Sequence, residues 1–167
     1  HAQMLDQQIR FMTEHTEKSF LLAAFLVKDW NQDLSPWCAP AVFAKESFGE
    51  GAGETLAFIE EMLIPEIMRR YGLKESIKDI PVILGGYSLA GLFALWSTYQ
   101  EKSTVKFAAA AGISPSVWFP GWLEYTETKQ IQTKKVYLSL GDREEKTRNS
   151  VMRQVGSNIR EMDSWYG

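Results

Sequence analysis

The sequence has 167 residues, of which 45% are apolar, so it can bury one sizeable core and we expect a single domain over residues 1–167. Its 18 basic and 21 acidic residues leave a net charge of −3, and this balance argues against a nucleic-acid or anionic-membrane partner, which needs a basic patch. The one cysteine, Cys38, excludes an internal disulfide framework and a cysteine-rich zinc site.

The first part of the chain alternates between helical and strand-like patterns. Residues 2–14 carry apolar side chains at helical spacing and predict a helix. Residues 20–27 form an unbroken apolar run, which is typical of a strand buried on both faces and is too short to span a membrane. Residues 30–53 predict a long loop, whose aromatic residues are Trp30, Trp37, Phe43 and Phe48. Residues 54–71 predict a helix that is kinked at Pro65.

The second part of the chain continues this alternation. Strands are predicted over residues 81–85, 107–113 and 135–140, and helices over residues 90–99 and 147–162. Alternating strands and helices predict an α/β fold, a three-layer αβα sandwich with a mostly parallel sheet. Ligands of such sheets bind beyond the carboxyl ends of the strands, so the strand-to-helix loops are where chemistry is expected. No signal-peptide pattern is visible, and we expect a cytoplasmic protein without a membrane partner.

One of these loops carries a specific motif. A predicted strand runs into Gly86-Tyr87-Ser88-Leu89-Ala90-Gly91, and a predicted helix follows at once. This context fits a nucleophile elbow, in which Ser88 sits on a strained turn and small flanking residues let strand and helix pass closely. The N–H of Leu89 is then the first expected donor to an oxyanion. The competing interpretation is a glycine-rich packing turn in which Ser88 only caps the helix.

Residues 85–96 resemble the esterase D-like family of α/β-hydrolases, which includes feruloyl esterases and siderophore esterases. Four further stretches resemble family motifs in the same order, so that the resemblance covers about residues 20–163; these stretches are residues 29–37, 63–67, 114–118 and 138–146. The resemblance implies the α/β-hydrolase fold and a serine hydrolase that needs no metal or organic cofactor.

The resemblance also implies a catalytic acid and a catalytic histidine. The sequence around residues 141–144 resembles the family's acid loop and places the acid at Glu144, with Asp142 and Glu145 as alternatives. A solvated charged loop that caps the following helix is the competing interpretation. The histidine should follow the acid, yet the two histidines are His1 and His15.

Three explanations account for the missing histidine. The chain is a fragment that ends before the histidine loop, it is a pseudoenzyme, or His15 reaches the site by another route. The third is the weakest, because His15 lies at the end of a predicted helix, away from the carboxyl ends of the strands. We favour the fragment, which would also explain a chain that starts with His and not Met.

The remaining site residues are expected in the neighbouring loops. A second oxyanion donor should follow the strand that ends near Val27, and we expect it at Trp30. Substrate-binding residues are predicted on both sides of Ser88; they are Tyr87, Trp37, Ser114 and Trp118. For the aromatic residues of the loop at residues 30–53, Trp37 among them, packing against the sheet is at least as good an interpretation. Cys38 has no base nearby in the sequence and is interpreted as a packed or free thiol.

The sequence therefore predicts a serine hydrolase that cleaves a small-molecule carboxylic ester through an acyl-enzyme. Two alternatives stay open, a non-catalytic α/β-hydrolase-like binding module and a thioesterase or acyltransferase. The oligomeric state also stays open, with a homodimer as one option.

Overall fold

The computed structural model describes residues 2–42, 45–74 and 76–166, so that His1 and Phe43 lie outside the described residues. The α-helices are α1 (Ala2–Glu14), α2 (Trp30–Asp33), α3 (Ala52–Phe58), α4 (Ile64–Arg70), α5 (Leu89–Ser97), α6 (Trp122–Thr128) and α7 (Val155–Tyr166). The strands are β1 (Ile83–Tyr87), β2 (Ala109–Ile113) and β3 (Val136–Ser139). Short 3₁₀ turns lie at Ile77–Asp79, Glu144–Lys146 and Met152–Gln154.

The three strands form one parallel sheet in the order β1-β2-β3. Gly86 pairs with Gly112, and Gly112 pairs with Leu138, so the strands are aligned along their whole length. Their carboxyl ends therefore lie side by side, and the loops that follow Tyr87, Ile113 and Ser139 meet at one edge. The predicted strands at residues 107–113 and 135–140 are confirmed, with shorter bounds.

Helix α5 forms the centre of the core. Eight of its nine residues are buried, including Leu92, Ala94 and Leu95 with no exposed surface. A helix that is apolar on all sides must be enclosed on all sides, which explains why this segment lies in the interior of the core. Helix α5 contacts both β1 and β2.

The other face of the sheet is exposed in the described part of the chain. Ile83, Tyr87, Ile113 and Tyr137 share this face and are between 40% and 65% exposed. The strand predicted at residues 81–85 is present as β1 at Ile83–Tyr87; it lies at the edge of the sheet and alternates between exposed and half-buried residues. The sandwich thus shows two of its three expected layers among the described residues.

The prediction of a buried strand at residues 20–27 is wrong. These residues have no strand conformation, and Leu26 is 94% exposed, although Phe25 and Val27 pack partly against the core. An apolar run becomes a strand only where a neighbouring backbone completes its hydrogen bonds, and the described sheet ends at β1.

The region predicted as a loop at residues 30–53 contains local structure. Helix α2 opens it, with the Asp29 carboxylate accepting a hydrogen bond from Gln32 N–H at 2.9 Å. An antiparallel bridge joins Ala39 to Phe48. Such short elements leave little periodicity in a sequence, which is why the pattern of residues 30–53 predicted a loop.

The long helix predicted at residues 54–71 is present but interrupted. Helices α3 and α4 are joined without a break by a π-helical segment, Ile59–Leu63, and Pro65 lies in the first turn of α4. Proline has no N–H to donate to the preceding turn, and the wider π-helical segment lies directly before it. Helix α6 was not predicted, and α7 begins at Val155, after a 3₁₀ turn, rather than near residue 147.

Candidate active site

Ser88 connects β1 to α5 through a strained backbone conformation. Its φ is 56° and its ψ is −121°, a region that residues with a Cβ rarely occupy. The turn is fixed on both sides, because Ser88 N–H donates to the Ile113 carbonyl at 3.0 Å and the Ser88 carbonyl accepts from Leu92 N–H at 3.0 Å. The sharp turn at Ser88 leads directly from β1 into the first turn of α5. The N–H groups of Leu89 and Ala90 in that turn have no intrahelical acceptor.

Small residues make this turn possible. A Cβ on Gly86 would lie 2.3 Å from the Ala90 carbonyl oxygen, and a Cβ on Gly91 would lie 2.9 Å from the Gly86 carbonyl oxygen. Both distances are too short for real atoms, so strand and helix can pass at this separation only with glycine at these positions. By contrast, a Cβ on Gly85 would make an ordinary contact with Ala111 at 3.5 Å.

The loop after β2 contacts Ser88 directly. The hydroxyl oxygens of Ser88 and Ser116 lie 3.2 Å apart, at hydrogen-bonding distance, and Ser116 N–H donates to the Ser88 carbonyl at 3.0 Å. Ser116 is 1% exposed, whereas Ser88 is half-buried. Ser116 was not predicted as a site residue, although it lies in the 114–118 stretch on which the sequence prediction placed two others.

Glu144 lies at the same edge of the sheet, in the loop after β3. Its Oε1 accepts from the Ser114 hydroxyl at 2.5 Å and from Gly141 N–H at 3.0 Å. Ser114 N–H in turn donates to the carbonyl of Ser139, the last residue of β3, at 2.7 Å. Ser114 was predicted to bind substrate; in the structure its hydroxyl donates to the predicted acid, and its contact with substrate stays a prediction.

The alternative acids differ from Glu144 in their surroundings. Glu145 forms an ion pair with Arg160, with Oε2 and Nη2 2.8 Å apart, and hydrogen bonding from this guanidinium lowers the pKa of the Glu145 carboxyl. Asp142 is exposed. Of the three carboxylates, Glu144 is therefore the one that contacts the loop after β2, and Ser116 of the same loop contacts Ser88.

The region around Trp30 is organised by two aspartates. Lys28 N–H and Asp29 N–H both donate to the Asp33 carboxylate at 3.0 Å. Trp30 follows as the first residue of α2 and is 47% exposed. No hydrogen bond or ring contact among the described residues joins Trp30 to the Ser88 turn, so its role as second oxyanion donor stays a prediction.

Packing accounts for two of the predicted substrate-binding aromatics. The indole N–H of Trp37 donates to the Pro120 carbonyl at 2.9 Å, and its ring contacts those of Phe119 and Tyr125. Trp118 is 8% exposed and belongs to the hydrophobic core. Tyr87 is different, because it is 62% exposed and directly precedes Ser88. The contact of Tyr87 with substrate stays a prediction.

Among the described residues, no hydrogen bond or ring contact joins His15 or Cys38 to the Ser88 turn. The His15 ring stacks on Phe11, with centroids 4.0 Å apart, and its Nδ1–H donates to the Phe11 carbonyl at 2.7 Å, so His15 is bonded within its own end of α1. Cys38 is an exposed free thiol. Within residues 2–42, 45–74 and 76–166, no three His, Cys, Asp or Glu side chains are grouped to bind a metal ion.

Comparison with known proteins identifies a structural likeness. Neither a family model nor a curated protein matches the sequence. The siderophore hydrolase EstA from Aspergillus nidulans is similar at 23% identity and a TM-score of 0.55, over 80% of this chain and 51% of EstA. The siderophore hydrolase EstB from the same organism is similar at 21% identity and a TM-score of 0.54, over 81% of this chain and 50% of EstB.

The chain shares part of the fold of these hydrolases. It spans about half the length of both. At these identities the likeness is one of fold, a three-stranded parallel sheet with helices, and it agrees with the α/β class predicted from the sequence. Among the described residues, no helix has the length and apolar character needed to cross a bilayer.

Proposed function

We propose that this chain carries the nucleophile and the acid of a serine carboxylic-ester hydrolase of the esterase D-like family. The observation that carries the proposal is the backbone of Ser88, which turns through φ 56° between a parallel strand and a buried helix. Strain of this kind persists in proteins mainly where function requires it, and it is the geometry that a nucleophile elbow needs. The likeness to two hydrolase structures agrees with a hydrolytic reaction.

In the proposed reaction the Ser88 oxygen attacks the carbonyl carbon of a small-molecule ester. A base takes the hydroxyl proton, and the carbonyl oxygen becomes an oxyanion that accepts hydrogen bonds from Leu89 N–H and from a second donor near Trp30. Collapse of the tetrahedral intermediate breaks the ester C–O bond, and the leaving alkoxide takes the proton from the base. Water then attacks the acyl-enzyme by the same route and releases the carboxylic acid.

Glu144 is the proposed orienting acid. It is supported by its position after β3, in the chain order expected for this fold, and by its contact with the loop that touches Ser88. The proposed base is a histidine, which that order places after the acid. The two histidines of this sequence, His1 and His15, both precede Glu144. The histidine base is therefore proposed without a described residue assigned to it.

The test is covalent labelling of Ser88 in the protein as its gene encodes it. A fluorophosphonate probe, which phosphonylates activated serines, is expected to attach to Ser88, as read by mass spectrometry of the labelled peptide. Ser88→Ala should abolish the labelling. Ser150→Ala removes an exposed serine elsewhere and is expected to leave the labelling unchanged.

Absence of labelling in the wild-type protein would contradict the proposal and favour the non-catalytic binding module. If Ser88 is labelled, turnover of matched ester and thioester substrates, with and without an acceptor alcohol, separates an esterase from a thioesterase or acyltransferase. Faster release of product from the oxygen ester, with water as acceptor, is the outcome that we expect.

A further inference from the structure

We infer that Ser114 is a positioning residue for Glu144, a role that goes beyond the triad itself and rests on the proposed function. Its hydroxyl donates a hydrogen bond to one oxygen of the Glu144 carboxylate. Residues 114–116, the linking segment, connect that carboxylate to Ser88 through the hydrogen bonds of Ser116. One short segment then sets the separation between nucleophile and acid.

The hydrogen bonds leave the carboxylate half occupied. Both donors to Glu144, the Ser114 hydroxyl and Gly141 N–H, bind Oε1. In the described part of the chain, Oε2 accepts no hydrogen bond and is left for an imidazole N–H. A carboxylate fixed through one oxygen presents the other in a defined direction, which is what an orienting acid must do.

The backbone of Ser114 indicates that the hydroxyl matters. Its φ is 44°, and it and Ser88 are the two residues other than glycine with a positive φ in the described chain. Ser114 also precedes a proline, which restricts its backbone further. Glycine would occupy this conformation with less strain but would offer no donor to Glu144.

The linking segment is held firmly at both ends. Pro115 is fully buried, and a Cβ on either Gly91 or Gly112 would lie 3.1 Å from it, so Pro115 is wedged between α5 and β2. Ser116 N–H bonds the Ser88 carbonyl, and Ser114 N–H bonds the Ser139 carbonyl. A displacement of Ser114 therefore moves the acid relative to the nucleophile.

The experiment measures the rate of fluorophosphonate labelling of Ser88 in the protein as its gene encodes it, for three variants. Ser114→Gly removes the donor and relieves the backbone strain, so we expect the variant to fold, with a urea unfolding midpoint close to that of the wild type. We expect it to label about tenfold to a hundredfold more slowly, the range for loss of one hydrogen bond to a charged group. Ser114→Asn tolerates a positive φ and keeps an N–H donor, and it should restore most of the rate. Ser150→Gly is the control and should label like the wild type.

The outcomes separate the inference from the proposed function. A wild-type protein that is not labelled contradicts the proposed function at the first step. A labelled wild type with an equally fast Ser114→Gly variant overturns the inference alone. A Ser114→Asn variant that is folded but as slow as Ser114→Gly also overturns it, because the rate of labelling would then not depend on a side-chain donor at position 114.

Discussion

The strain at Ser88 can be measured as a stability difference between two substitutions. Ser88→Ala keeps a Cβ at φ 56°, whereas Ser88→Gly removes it, and both lose the hydroxyl that lies 3.2 Å from Ser116. The lost contact therefore cancels when the two variants are compared. Relief of a sparsely populated conformation is worth about 1–3 kcal/mol. The greater freedom of glycine in the unfolded chain offsets about 0.5–1 kcal/mol of it.

We therefore expect Ser88→Gly to be more stable than Ser88→Ala by about 1 kcal/mol. With a urea dependence of about 2 kcal/mol per molar, the midpoint of unfolding should rise by about 0.5 M. Ser116 gives the control pair, because its φ is not positive. There the glycine variant should be the less stable one, by about 0.5–1 kcal/mol. The same order at both positions would refute the claim that the Ser88 backbone stores strain.

Two further predictions concern packing. Gly86→Ala should destabilise the fold by about 3 kcal/mol or more because its Cβ would collide with backbone, whereas Gly85→Ala should be tolerated; equal urea midpoints for the two variants would contradict this. Trp37→Phe leaves the Pro120 carbonyl without its donor and should cost about 1–2 kcal/mol, while Trp30→Phe, at a more exposed ring, should change stability by less than about 0.5 kcal/mol. A thermal or urea unfolding curve checks both, and an unaffected Trp37→Phe protein would argue against a stabilising role for the indole hydrogen bond to Pro120.

The sequence was most informative where local chemistry determines structure. The glycines at positions 86 and 91, between an apolar run and a helical pattern, predicted the strand–turn–helix around Ser88, and the structure has it. Strands β2 and β3 were also predictable, because each is a short apolar run bounded by turn residues. The place after a strand predicted the acid loop, the resemblance to the family's acid motif singled out Glu144 within it, and Glu144 lies at the same edge of the sheet as Ser88.

Features that depend on distant partners could not be predicted. Residues 20–27 are as apolar as β1, yet only β1 has a strand beside it. The bond between Ser114 and Glu144 joins two loops 30 positions apart, and nothing in either loop alone indicates it. The same holds for Trp37, whose partner Pro120 is 83 positions away.

The enclosure of α5 has a consequence for motion at the site. Backbone amides in a segment buried on every side exchange with solvent mainly through the largest unfolding events, whereas exposed segments open locally. The Ser88 turn is hydrogen-bonded into this protected unit at Leu92. Hydrogen exchange should therefore find the hydrogen-bonded amides of Ser88 and Leu92 among the slow ones. Any opening that admits the substrate of the proposed reaction then has to come from segments that are more exposed than this helix.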